Sequence, residues 1–110
     1  FEALKLGGGY DHAWVLNKGE GMRLAATVKD PKSGREMIIS TNQPAIQFYC
    51  GNFLDGSDVG KGGVKYARRT ALALETEGFP DAPNKPQFPS AVLRPGETYE
   101  HVIVYRFSAG

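Results

Sequence analysis

Met22-Arg23-Leu24-Ala25-Ala26-Thr27-Val28-Lys29-Asp30 alternates residue by residue: Met22, Leu24, Ala26 and Val28 fall on one side, Arg23, Ala25, Thr27 and Lys29 on the other. That period of two predicts a half-buried β-strand. The residues that follow, Asp30-Pro31-Lys32-Ser33-Gly34-Arg35, combine a proline that presets φ with a glycine that tolerates positive φ. A second run, Glu36 to Thr41, comes directly after them, so the spacing predicts a β-hairpin. Pro44 cannot sit in the middle of a ladder, and it introduces a third strand at Ala45 to Tyr49.

Further along, Arg94-Pro95-Gly96-Glu97 supplies a turn before Tyr99 to Phe107. There Tyr99, His101, Ile103, Tyr105 and Phe107 share one face, and Glu100, Val102, Val104 and Arg106 the other. Aromatic and β-branched residues on both faces predict a strand inside a covered sheet and not at a solvated edge. The run Thr70 to Glu75 reads as one more strand. Tyr66 to Leu74 is rich in helix formers, but it is short and no apolar stripe extends it. Two long irregular stretches remain, Cys50 to Arg69 and Thr76 to Ser90. Loops longer than about 12–15 residues are usually functional when ordered, so the chemistry is expected there.

The 110 residues suffice for one domain, with no internal boundary expected. At this length folding buries roughly 60–70% of the surface of the unfolded chain, so the core is thin. Thirteen Lys and Arg balance twelve Asp and Glu, and the net charge of +1 comes without a basic stripe. Nucleic acid is therefore not an expected partner. No apolar run approaches the roughly 20 residues of a membrane helix, and no leader pattern opens the chain, so no membrane partner is expected. Cys50, alone, cannot form an intrachain disulfide, which fits a reducing compartment, the cytoplasm. A start at Phe1 without an initiator methionine marks the chain as an expected piece of a longer polypeptide.

Several motifs fail on spacing. Gly7-Gly8-Gly9 would need glycine where His12 stands to complete a dinucleotide fingerprint, and Gly60-Lys61 is followed by Gly62 and not by Ser or Thr. His12, His101 and Cys50 lie in separate segments without zinc spacing, so no metal is expected. Glu75 and Glu77 stand two apart, on one face if the strand continues. Paired carboxylates suit acid/base work on a glycosidic or hemiacetal bond. The alternative is a solvated pair at a strand end, and Gly78 interrupts regular extension.

One ordered set of segments goes further. It comprises Gly8-Gly9-Tyr10-Asp11-His12, Asp30-Pro31 with Ser33-Gly34-Arg35, Gln43-Pro44 with Gln47-Phe48-Tyr49, and Gly51-Asn52-Phe53-Leu54-Asp55-Gly56. It continues with Leu74-Glu75-Thr76, Phe79-Pro80-Asp81-Ala82-Pro83-Asn84, Phe88-Pro89-Ser90 and Leu93-Arg94-Pro95-Gly96-Glu97. In this order the segments resemble the carboxyl-terminal part of the aldose 1-epimerases, the galactose mutarotases. The resemblance implies an all-β fold, an antiparallel β-sandwich of which this chain is about the last third.

It also implies a function: interconversion of the α and β anomers of free hexoses such as galactose and glucose, without a cofactor. The family's general base, the Glu of its Leu-Glu-Thr motif, matches Glu75. Its sugar-binding Asp and Gln match Asp11 and Gln47, residue types that suit polyols because a carboxylate accepts from hydroxyls and an amide both donates and accepts. The family's acid, a histidine, lies upstream of the matched segments, so the implied partner is the amino-terminal remainder of the same domain. His12 is expected to support its loop, and His101 to be a core or interface histidine. Glu77 stands where the family usually has Gln, and Ala13 and Ala45 where it often has Asn and Gly. A second reading, from another functional class, is a non-catalytic sugar-binding or regulatory relative of the mutarotases. Glycoside hydrolysis by Glu75 and Glu77 is a third, which the resemblance does not favour.

Overall fold

The hairpin forms from its turn outward. Asp30 Oδ1 accepts from the backbone N–H of Lys32 at 3.0 Å, and Oδ2 accepts from Ser33 N–H at 3.3 Å and from the Ser33 hydroxyl at 2.6 Å. Gly34, at φ +70, brings its N–H to the Asp30 carbonyl at 2.9 Å and closes the turn. These bonds hold the Asp30 carboxyl below the usual carboxylate range, the Ser33 hydroxyl first and the Lys32 N–H next.

In the computed structural model, which describes residues 1–110, six strands follow a short helix, α1 (Glu2–Leu6). They are β1 (Asp11–Val15), β2 (Arg23–Lys29), β3 (Arg35–Thr41), β4 (Ala45–Tyr49), β5 (Ala73–Glu77) and β6 (Ile103–Ala109). Two single 3₁₀ turns lie at Lys61–Gly63 and Ala82–Asn84. The strands make two three-stranded sheets, one in the order β1-β4-β5 and the other β2-β3-β6.

The chain divides into two units, residues 1–14 with 47–75 and residues 15–46 with 76–110. In the second unit β3 is the central strand, antiparallel to both neighbours, with Val28 opposite Met37 and Ile39 opposite both Ala26 and Tyr105. Ile39 and Thr41 are fully buried, and Ile46 and Ala82 nearly so. Thr41 donates its hydroxyl to the Val102 carbonyl at 2.9 Å, which ties the end of β3 to the approach to β6. In the first unit the chain enters β1 through Gly8 and Gly9, at φ +65 and +139, values that an L side chain rarely adopts.

Four expectations are corrected here. A register shift between Leu24 and Ala26 breaks the alternation of β2, so Leu24 and Met22 are exposed while Ala26 and Val28 turn inward. The last strand begins at Ile103 and not Tyr99, because residues 97–102 bond irregularly, through the Asn42 and Thr41 side chains. β6 is also the edge of its sheet in this chain, with Val104, Tyr105 and Phe107 exposed, whereas its two apolar faces predict an interior strand. The strand expected at 70–75 runs instead over Ala73–Glu77, and β1 and α1 are not predicted at all.

Candidate active site

The first unit gathers the three candidate residues on one sheet. Asp11 opens β1, Gln47 lies at the middle of β4 and Glu75 at the middle of β5, and β4 is the strand between the other two. Gln47 donates from Nε2 to Asp11 Oδ1 at 2.8 Å. The second carboxylate oxygen and the amide oxygen keep further capacity for hydroxyl groups. Asp11 and Glu75 are exposed, Gln47 half-buried.

Alternation sorts the faces. Tyr10 stacks on Phe48 with ring centroids 5.1 Å apart and lies 6.4 Å from Trp14, so these rings share the face opposite Asp11 and Gln47. Leu72 borders a hollow of about 340 Å³ together with Phe48. On β5 itself Glu75 is exposed, while its neighbour Thr76 is buried. The structure thus bonds Asp11 to Gln47 and brings Glu75 to the adjoining strand.

Behind Asp11 lies a second layer of bonds. The Gly8 carbonyl accepts from Arg69 Nη2 at 2.7 Å and from Arg68 Nη2 at 3.0 Å. Asn52, 7% exposed, donates from Nδ2 to the Tyr10 carbonyl at 2.8 Å. Its Oδ1 accepts from Arg69 Nε at 3.4 Å and from the Cys50 thiol at 3.0 Å, and its backbone carbonyl accepts from Arg68 Nε at 3.2 Å. His12 accepts the Asp11 N–H on Nδ1 at 2.9 Å and reaches the Ala3 carbonyl with Nε2 at 3.2 Å. One tautomer, with the proton on Nε2, satisfies both bonds. The histidine therefore braces its loop, as expected from the sequence. Further on, Asp55 accepts from Ser57, first from its hydroxyl and then from its N–H, and its carboxyl is held low.

A sequence model of the aldose 1-epimerase family matches residues 2–106. The chain belongs to the aldose 1-epimerase family. Among its relatives, the galactose mutarotase of Mus musculus is 46% identical over 100 residues, which are 91% of this chain and 29% of that protein. The aldose 1-epimerase of Escherichia coli (strain K12) is 44% identical over 104 residues, 92% of this chain and 30% of that protein. The crystal structure of an aldose epimerase homologue from C. elegans superposes with a TM-score of 0.76 at 38% identity, covering 91% of this chain and 30% of that one. The antiparallel all-β architecture is thus that of an aldose 1-epimerase, and the chain spans about 30% of the length of the relatives it matches.

The candidates Asp11, Gln47 and Glu75 all stand on strands. The 50–72 loop instead sends Asn52, Arg68 and Arg69 to brace the start of β1. Sequence reasoning missed these three, although two consecutive arginines ahead of an apolar strand were a signal. His101 bonds Thr76 Oγ1 at 2.7 Å through Nε2 and the Tyr99 hydroxyl at 3.1 Å through Nδ1. No group of three or more His, Cys, Asp or Glu gathers in a way that could hold a metal ion, and no helix is long and apolar enough to cross a membrane.

Proposed function

We propose that this chain supplies the base and two sugar contacts of an aldose 1-epimerase acting on free hexoses such as galactose and glucose. The chain is then the carboxyl-terminal portion of a single β-sandwich domain. The amino-terminal remainder is its partner and carries the acid histidine. Glu75 takes the proton of the anomeric hydroxyl, and the electron pair of that O–H bond forms the carbonyl. The bond from C1 to the ring oxygen breaks as the histidine protonates that oxygen. Rotation about the first carbon–carbon bond presents the other face of the aldehyde, and the reverse transfers close the ring as the other anomer. Asp11 and Gln47 hold sugar hydroxyls while the ring opens.

The observation that carries this reading is the Gln47–Asp11 hydrogen bond between neighbouring strands of the sheet that also holds Glu75. A carboxylate and an amide locked together offer a fixed set of acceptors and donors to a polyol, beside a solvent-facing carboxylate free to exchange a proton. Polarimetry of freshly dissolved α-galactose and α-glucose with the complete domain tests it. The expected result is accelerated decay to the equilibrium rotation. Saturable hexose binding by calorimetry without acceleration would replace the enzyme with the non-catalytic sugar-binding relative.

A further inference from the structure

Only Tyr10 separates Asp11 from three consecutive glycines, the most permissive backbone in the chain, yet as a sugar contact Asp11 must present its carboxylate in one orientation. The peptide plane joining Tyr10 to Asp11 is rigid, so whatever holds its two ends aims the Asp11 side chain. The oxygen end accepts from Asn52 Nδ2 and from the Cys50 N–H at 3.1 Å, and the nitrogen end donates to His12. Asn52 is itself held by Arg69, whose guanidinium spans Asn52 and the Gly8 carbonyl together.

Two further features mark this arrangement as built. Arg69 sits at φ +60, a left-handed conformation costly for a residue with a side chain, although its own N–H bonds the Gly51 carbonyl through backbone alone. Glycine would fill that backbone position with less strain, so the guanidinium is what requires arginine there. Gly9, at φ +139, leaves only enough room for Asn52, since a Cβ at Gly9 would overlap the Asn52 side-chain amide.

We propose that Asn52 and Arg69, assisted by Arg68, are positioning residues for Asp11 that set hexose affinity without touching the sugar. The inference rests on the reading of Asp11 as a sugar contact. The test uses the complete domain, with mutarotation followed by polarimetry and thermal unfolding measured alongside. Asn52→Ala should raise KM about tenfold, the size expected when one buried hydrogen bond to a positioned group is lost, with kcat changed by less than about twofold. Arg69→Gly should raise KM several-fold without lowering Tm, because glycine relieves the backbone while removing the brace. This variant keeps the test alive if Asn52→Ala fails to fold. Arg69→Lys should not restore KM, since one ammonium cannot bridge both acceptors as the guanidinium fork does.

The decisive comparison is the double variant. If Asn52 acts through Asp11, adding Asn52→Ala to Asp11→Asn leaves KM where Asp11→Asn alone put it. Additive losses, or a fall in Tm with KM unchanged, would overturn the positioning role and leave the reading of Asp11 intact. An Asp11→Asn variant with unaltered KM would overturn that reading itself, and the inference with it.

Discussion

Glu75 faces solvent from the middle of β5 and is flanked on the strand by Leu74 and Thr76, which turn the other way. Glu75→Gln keeps the shape of the side chain and removes only its capacity to take a proton. The expected loss in kcat is about 10²- to 10⁴-fold, the usual contribution of a general base, with far-UV circular dichroism and Tm unchanged. Retained mutarotation in that variant would remove Glu75 from the reaction. Asp30 gives a prediction of a different kind. Its carboxyl is held low by the Ser33 hydroxyl and the Lys32 N–H, so the charged form is favoured in the folded turn. The stabilisation it contributes is complete above the ordinary value of a free aspartate. It is lost as pH falls through the lower folded value. An NMR titration should find the Asp30 carboxyl below the ordinary value of a free aspartate, and Ser33→Ala should raise it. Asp11, Gln47 and Glu75 stand out as candidates in the sequence because each sits inside a short motif. Asn52 and Arg69 do not, because the groups they bind lie 42 and 61 residues away along the chain, a pairing that only the folded sheet creates.

At the scale of elements, the β2–β3 hairpin and β4 could be read from alternation and turn chemistry, since both signals are local. The bulge at Ala25 could not, because it depends on how β2 registers against β3. β1 was hidden for a similar reason. Asp11-His12-Ala13-Trp14-Val15 has no clean alternation, and most of its side chains are exposed, so its extended form comes from the strand beside it. β3 carries the second unit. Ile39 is fully buried at its centre and faces residues of both β2 and β6. Ile39→Ala should cost about 2–4 kcal/mol, read as a shift in the urea midpoint, because a cavity opens where neither neighbouring strand can collapse inward. Leu24→Ala, at a residue 63% exposed despite its apolar type, should change that midpoint little.

For the molecule as a whole, burial is scarce. Only Ile39, Ala45, Ile46 and Ala82 are buried apolar residues, while Leu6, Phe53 and Phe107 are each more than 70% exposed. Exposed apolar side chains on this scale mark surfaces that another polypeptide covers, and an uncovered edge such as β6 pairs readily with a second strand. The 110-residue chain expressed alone should therefore self-associate in light scattering and bind 1-anilinonaphthalene-8-sulfonate. Co-expression with the amino-terminal portion should suppress both, and a cooperatively folded monomer that binds no dye would contradict the expectation. Trp14 makes such an assembly visible. It is the one indole in the sequence, half-exposed, and lies on the aromatic face of the first sheet, opposite Asp11 and Gln47. Its emission colour therefore acts as an optical gauge of whether the aromatic side has been roofed over.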